Sequence, residues 1–201
     1  MRKSYSTFTI EQIQDEFGLK LVSIFGEYEK QKNFEVSEFL VSRLLGDLPL
    51  ALAIGTEKAK SEFLVAPMLG ELRRMLNNEI SLFSGVEFNV DAKQGLKGIC
   101  DFLISASASQ FSVDVPVIAL VEAKDDDLKD GLPQCLAEMI AAQIFNERKN
   151  VEIKTIYGIV TTGSLWNFVR LQGKTAFVDS KEYSIENPHK IMGILMNMVG
   201  K

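Results

Sequence analysis

Three charged side chains in this sequence stand where apolar patterning leaves little room for charge. Glu122 and Lys124 end the run VIALVEAK, Val117 to Lys124, and Asp101 interrupts GICDFLI, Gly98 to Ile104. Alternate residues of a strand share a face about 6.6 Å apart. Glu122 and Lys124 therefore point one way and Ala123 the other. If the two runs pair, Asp101 can lie beside Glu122. Two carboxylates that close repel and do not both stay ionised without compensation. A divalent cation held by carboxylate oxygens and water, Mg2+ or Mn2+, supplies it. A carbonyl of Ala119 to Ala123 could complete the shell. A lysine beside such an ion can position or deprotonate a water and neutralise charge developing on a phosphate. The set suits phosphodiester hydrolysis better than acyl transfer, which also needs a nucleophile and an oxyanion hole.

Each residue also has an ordinary reading. Glu-Ala-Lys can be a solvated strand end, Asp101 a salt bridge or turn, Gln134 a polar helix start, and Asp125-Asp126-Asp127 a solvated loop. Cys100 and Cys135 read as small buried hydrophobes. Trp166 and Phe168 read as packing residues more than as a base-stacking platform.

Other chemistries find little support. His189 is the only histidine among the 201 residues, so histidine-based triads and zinc sites hang on one side chain. No Gly-rich phosphate loop is present. The two cysteines show no zinc or disulfide spacing, which points to a reducing compartment. MRKSYSTFTIEQ, Met1 to Gln12, has no apolar run after its basic residues, so no signal peptide is expected, and no window reaches the roughly 20 apolar residues of a membrane span. The expectation is a soluble, cytoplasmic chain without a membrane partner. Its formal charge of −5 and isoelectric point of about 5.1 run against strong nucleic-acid binding. A local basic rim from Lys58, Lys60, Arg73, Arg74, Lys93, Lys97 and Lys129 could offset that.

The elements that must position these groups follow from periodicity. Residues 1–55 read as an N-terminal helical extension: a helix from Thr9 to Phe17 with Thr9 as cap, another from Val36 to Leu45, then a turn at Gly46-Asp47-Leu48-Pro49. Residues 56–201 read as the main domain. Thr56 to Asn78 is helical, with a kink or fresh start at Pro67. Strands follow at Ser81 to Val90, Gly98 to Ile104 and Val117 to Ala123, the last covered on both faces. A helix runs from Pro133 to about Lys149, where small Ala137 and Ala141 allow close approach to the sheet. Strands recur at Ile153 to Thr162, Leu165 to Leu171 and Thr175 to Val178, before a last helix to Met198. A strand-helix-strand unit implies a parallel pair with its helix on one face, and the early helix can cover the other. The fold class is α/β, a three-layer α/β/α sandwich around a central mixed sheet.

Helix, Asp101 strand, Glu122-x-Lys124 strand, then a helix beginning near Gln134: in this order the residues resemble the PD-(D/E)XK nuclease superfamily, the restriction endonuclease-like fold. The likeness covers residues 57 to about 171. It implies that Asp101 and Glu122 bind Mg2+ or Mn2+, that Lys124 activates or orients water, that Gln134 supports the site, and that DNA is the substrate. Cys100 stands where proline can precede the aspartate, and proline coordinates nothing. An acid of the first helix would assist the metal. Glu62 and Glu71 are nine residues apart, so they lie on opposite sides of that helix. Periodicity does not choose between them; the family pattern, with its acid near the helix start, favours Glu62. Target recognition would come from a two-fold homodimer or a protein partner. The rival expectations are a nuclease-fold binding or assembly module that no longer cuts, and a plain α/β interaction domain.

Overall fold

A computed structural model describes residues 3–124 and 128–199; the Asp125-Asp126-Asp127 run lies outside them. Eight described strands form one mixed sheet: β1 (Lys20–Ile24), β2 (Ser81–Glu87), β3 (Ile99–Ser105), β4 (Val117–Ala123), β5 (Ile156–Thr161), β6 (Leu165–Gln172), β7 (Thr175–Asp179) and the short β8 (Tyr183–Ser184). The spatial order is β1-β7-β6-β5-β4-β3-β2, with β8 beside β6. β4 pairs parallel with β5 and antiparallel with β3. The helices are α1 (Ile10–Phe17), α2 (Glu38–Ile54), α3 (Glu57–Lys60), α4 (Ala66–Met75), α5 (Leu128–Arg148) and α6 (Pro188–Met198). The architecture is the expected three-layer α/β/α arrangement. α5 and α1 cover one face, where Leu103, Leu120, Leu136 and Ala141 meet. The helices α2, α4 and α6 cover the other with Leu40, Leu69, Phe102, Val121 and Ile194. Among the described residues no helix is long and apolar enough to cross a membrane.

β4 is buried along its whole length, as its unbroken apolar run requires when helices lie on both faces. α5 crosses directly over it. Asn146, near the end of that helix, is buried and clasps the start of the strand: the Val117 N–H donates to its Oδ1 at 2.9 Å, and its Nδ2 donates to the Val117 carbonyl at 2.8 Å. Gly158 lets α5 lie close on β5, since a Cβ there would meet Met139 Sδ at 2.4 Å and Cys135 Sγ at 2.7 Å. Ala137 and Ala141 are fully buried on the same helix.

Three expectations need correction. Residues 1–55 are not purely helical. β1 completes the sheet beside β7, and Tyr5, Phe8, Ile13 and Leu19 enter the α5-side core. α2 does not stop at Gly46 but continues through Pro49 to Ile54. Its buried stripe, Leu40, Leu44 and Ala51, spans the expected turn. Leu45 is well exposed, so water can meet the carbonyl that Pro49 cannot serve. α5 starts at Leu128 and carries Pro133 inside it. That moves Gln134 from the first turn to the second. By contrast α1 begins after Thr9, whose side chain accepts from the Gln12 N–H, as an N-cap should.

Replacing Asn146 by Ala strands a buried N–H and a buried carbonyl at the head of β4. Each costs roughly 1–3 kcal/mol when left unpaired. Urea denaturation of Asn146→Ala should show a loss of at least about 2 kcal/mol with an unchanged m-value.

Candidate functional site

β3 and β4 pair with Phe102 opposite Val121 and Leu103 opposite Leu120. One step further sets Asp101 opposite Glu122 at the end where β4 runs out. The Asp101 carboxylate reaches across and accepts from the Ala123 N–H at 2.8 Å. Strict alternation slips here. Cys100 packs in the α5-side core and Phe102, two residues on, packs in the opposite one. Facing this point on β2 is Gly85, between the pairs Ser84–Phe102 and Val86–Cys100. Its φ is +62°, a left-handed conformation that glycine adopts at no steric cost. A tight local irregularity thus turns Asp101 toward the end of its neighbour.

Glu122 is 1% exposed. Lys124 Nζ donates to its Oε1 at 2.5 Å, while Oε2 is buried with no hydrogen-bond partner among the described residues. Burial, then the charge of Asp101, pushes the Glu122 carboxyl up to about 8, against the pull of Lys124. Burial also raises Asp101, outweighing the Ala123 N–H and the charges of Lys124 and Lys58. Burial pulls Lys124 down, but the hydrogen bond and charge of Glu122 win and leave it above the ordinary lysine value. In this state Lys124 is an ammonium that positions and neutralises; it is poorly suited to deprotonate. Its stem is fixed by a close approach: a Cβ on Gly131, in the first turn of α5, would sit 2.9 Å from Lys124 Cγ and 2.5 Å from Val160 Cγ1.

Gln134 is turned to its own helix and donates to Glu138 Oε1 at 3.2 Å. Glu138 is fully buried and its Oε2 has no partner among the described residues. Burial first, then the charge of Glu122, raises its carboxyl well above the ordinary range. The Cys100 thiol lies close enough to pull it partly back down. Glu138 is therefore a second buried acid behind Glu122. A sign of it stood in the sequence, as the one charge within LAEMIAA, Leu136 to Ala142, where an unpaired acid is rare.

The helical acids fall out differently from either expectation. Glu71 is buried away from the cluster, accepting from the Ser37 N–H at 2.9 Å and from Arg74 at 2.5 Å; it ties α2 to α4. Glu62 is largely exposed and pairs with Lys58, facing a groove lined by Phe39, Arg43 and Arg74. The groove that contains Asp101 and Ala123 is lined instead by Glu57, Lys58 and Ser61 from the helix, and by Ser84 and Gly85 from β2. The charge of Glu57 is felt by both Glu122 and Lys124. The reason lies between α3 and α4, where Ser61–Val65 form a π-helical turn that inserts about one extra residue per turn. Helical phase counted back from Leu64 to Leu76 is lost across it, so no wheel could pick Glu57. Three members of the expected basic rim are engaged elsewhere. Lys60 is buried, Arg73 holds the Ile80 carbonyl and Asn78, and Arg74 serves Glu71. Trp166 and Phe168 are fully buried packing residues.

Among the described residues no group of three or more His, Cys, Asp or Glu side chains is arranged to hold a metal ion. What the site offers is two adjacent carboxylates, a third acid across the groove and another behind, and one ammonium against Glu122.

The raised Glu122 carboxyl makes a pH prediction. The native state keeps this proton up to about pH 8, whereas the unfolded chain releases it in the ordinary carboxylate range. Its stabilising contribution is thus complete below that range and is lost as pH rises through about 8. In chelator, the urea midpoint should fall between about pH 5.5 and about pH 8.5, and Glu122→Gln should flatten that fall, Glu138 supplying any residue of the same sign. A wild-type profile as flat as the variant's would mean that Glu122 is ionised in the native state.

No protein-family model matches the sequence, and no curated protein matches it. Among solved structures, a cryo-EM structure of a DrdV–DNA complex is similar at a TM-score of 0.46 with 17% identity, over 82% of this chain. The chain spans only 14% of that protein's length, a likeness too distant to assign a family.

Proposed function

We propose that this chain is a divalent-cation-dependent phosphodiesterase acting on DNA. The observation that carries the reading is the carboxylate pair at the end of β3 and β4: buried Glu122, held by Lys124 with one oxygen lacking a partner among the described residues, and Asp101, which reaches across to the Ala123 N–H. The residues fit a hard dication. Asp101 and Glu122 supply oxygen ligands, the excess of negative charge favours a cation, and water or a β4 carbonyl can fill the remaining positions. Bound there, such an ion would neutralise charge on a phosphate and on the oxygen that leaves it. Lys124 holds its ammonium beside the reacting group and orients the attacking water. Gly131 lets α5 lie close on its stem, and Glu57 adds negative potential from across the groove. Gln134 acts at one remove, by fixing Glu138 behind Glu122.

A second reading has its own support. Asp101 is engaged by the Ala123 N–H and Glu122 by Lys124, so both carboxylates have protein partners. A nuclease-fold module that binds without cutting would look like this.

Cleavage of single-stranded, duplex and branched DNA with Mg2+ and Mn2+ separates the two. Lys124→Ala should lose about 100-fold or more in rate under conditions where the variant is shown to remain folded, and Asp101→Asn should abolish Mn2+ binding by calorimetry. Mn2+ affinity in the wild type should rise with pH as Glu122 gives up its proton. Equal residual cleavage in wild type and Lys124→Ala would point to a contaminant and remove the enzymatic reading. Mn2+ binding that ignores Asp101 and Glu122 would remove the metal site.

A further inference from the structure

We propose that Lys58 is a phosphate-holding arm of this site, kept beside the groove by Glu62 until a nucleic-acid backbone arrives; this rests on the function proposed above. Thr56 caps the short α3, its Oγ1 accepting from the Ala59 N–H at 3.2 Å. The first turn therefore presents Glu57 and Lys58 at the groove mouth, with Ser61 one turn on. Among the described residues that line the groove with Asp101, Lys58 is the only cation. The acids around it, Asp101 and Glu57, would repel a phosphodiester, and the other nearby ammonium, Lys124, is committed to Glu122. A cation at the groove mouth can meet the phosphate ahead of the site itself, and Lys58 is placed for that.

Its present partner is replaceable. Lys58 Nζ lies 2.8 Å from Glu62 Oε1, with the two side chains 80% and 56% exposed. Ion pairs so open to water are weak and screened by salt. The lysine stem is flexible and its ammonium has three donors, so exchanging a carboxylate oxygen for a phosphate oxygen needs no backbone movement. Lys58 already senses the site: Glu62 raises its pKa first, and Asp101 adds to the shift. The approach is open on the β2 side, where a Cβ built on Gly85 would meet nothing within 4 Å. An extended sugar-phosphate backbone can therefore run past the sheet edge into the groove. Glu62, exposed and outside that groove, becomes a competitor for the lysine. It is a negative regulator of binding and not a ligand of the cation.

The test is binding of a fluorescein-labelled oligonucleotide across a salt series, with Ca2+ replacing Mg2+, by wild type, Lys58→Gln, Glu62→Gln and the double variant. Loss of one phosphate contact should weaken Lys58→Gln about 5- to 10-fold at low salt and reduce the slope of log affinity against log salt by about 0.7–0.9. Glu62→Gln should bind about 2- to 3-fold more tightly, because the lysine is released, and the double variant should match Lys58→Gln. Lys58→Arg should restore most of the affinity. In cleavage assays Lys58→Gln should raise KM with kcat nearly unchanged. An unaltered salt slope in Lys58→Gln, weaker binding by Glu62→Gln, or a wild type that binds no DNA would each overturn the proposal. The two readings fail separately. If the binding series follows the pattern but no cleavage depends on Lys124, the enzyme reading falls and the arm stands. If Lys124-dependent cleavage coexists with a flat binding series, the arm falls alone.

Discussion

The constraint on which this protein turns is the burial of a carboxylate at the end of its most deeply covered strand. Glu122 lies within the protein, opposite Asp101, in front of Glu138, with one lysine as counter-charge. Like charges in a poorly hydrated place raise one another's pKa values, and the group titrates as a set. The surroundings must be arranged to tolerate that. β4 has to be held rigidly and α5 has to come close, because a loose end would let water in and dissolve the coupling.

The supports fit that need. Asn146 fixes the head of β4 through both polar groups of one residue, at the end of α5 far from the site. Gly131 brings the other end of α5 onto the stem of Lys124. On the open side, Tyr5 donates to the Phe88 carbonyl at 2.5 Å and packs against Gly98, at the head of β3. The N-terminal segment thus braces the strand that carries Asp101. Groups that look peripheral along the chain are the ones that set where its acids meet.

Much of this was legible from sequence, for identifiable reasons. β4 followed from an unbroken apolar run after Pro116, and the nearness of Asp101 to the end of β4 followed from pairing the two apolar runs, although alternation itself breaks at Asp101. The layers followed from the β4-α5-β5 unit. What escaped notice depended on events that break periodicity or act at a distance. Glu57 was hidden by the π-helical turn between α3 and α4. β1, only five residues long, gains its place from β7, more than 150 residues away, and KLVSI alone cannot announce that. The stop at Gly46 and Pro49 was overridden by the tertiary burial of Leu40, Leu44 and Ala51. Glu138 carried a signal, a lone acid in an apolar helix, but its partners Cys100 and Gln134 come together only in the fold.

The protein itself provides the control for judging the β3–β4 acids. Asp179 is also fully buried, yet its two oxygens accept from the N–H groups of Gly26 at 2.7 Å, Lys181 at 3.0 Å and Tyr28 at 3.4 Å, and from the Tyr183 hydroxyl at 2.8 Å. That is how a carboxylate is accommodated when its work is structural: every lone-pair direction finds a donor. Glu71 is treated similarly, with the Ser37 N–H and Arg74. Among the described residues Glu122 and Glu138 each keep a buried oxygen without a donor, and a purely structural position would be served as well by an apolar side chain of similar size. Asp179 and Glu71 are well served, whereas an oxygen of Glu122 and one of Glu138, like the Oε2 of Glu27 beside Arg170, lack a donor among the described residues; at Glu122 that shortfall lies next to Lys124 and Asp101. The deficit is of the kind that a bound cation and a phosphate together would fill.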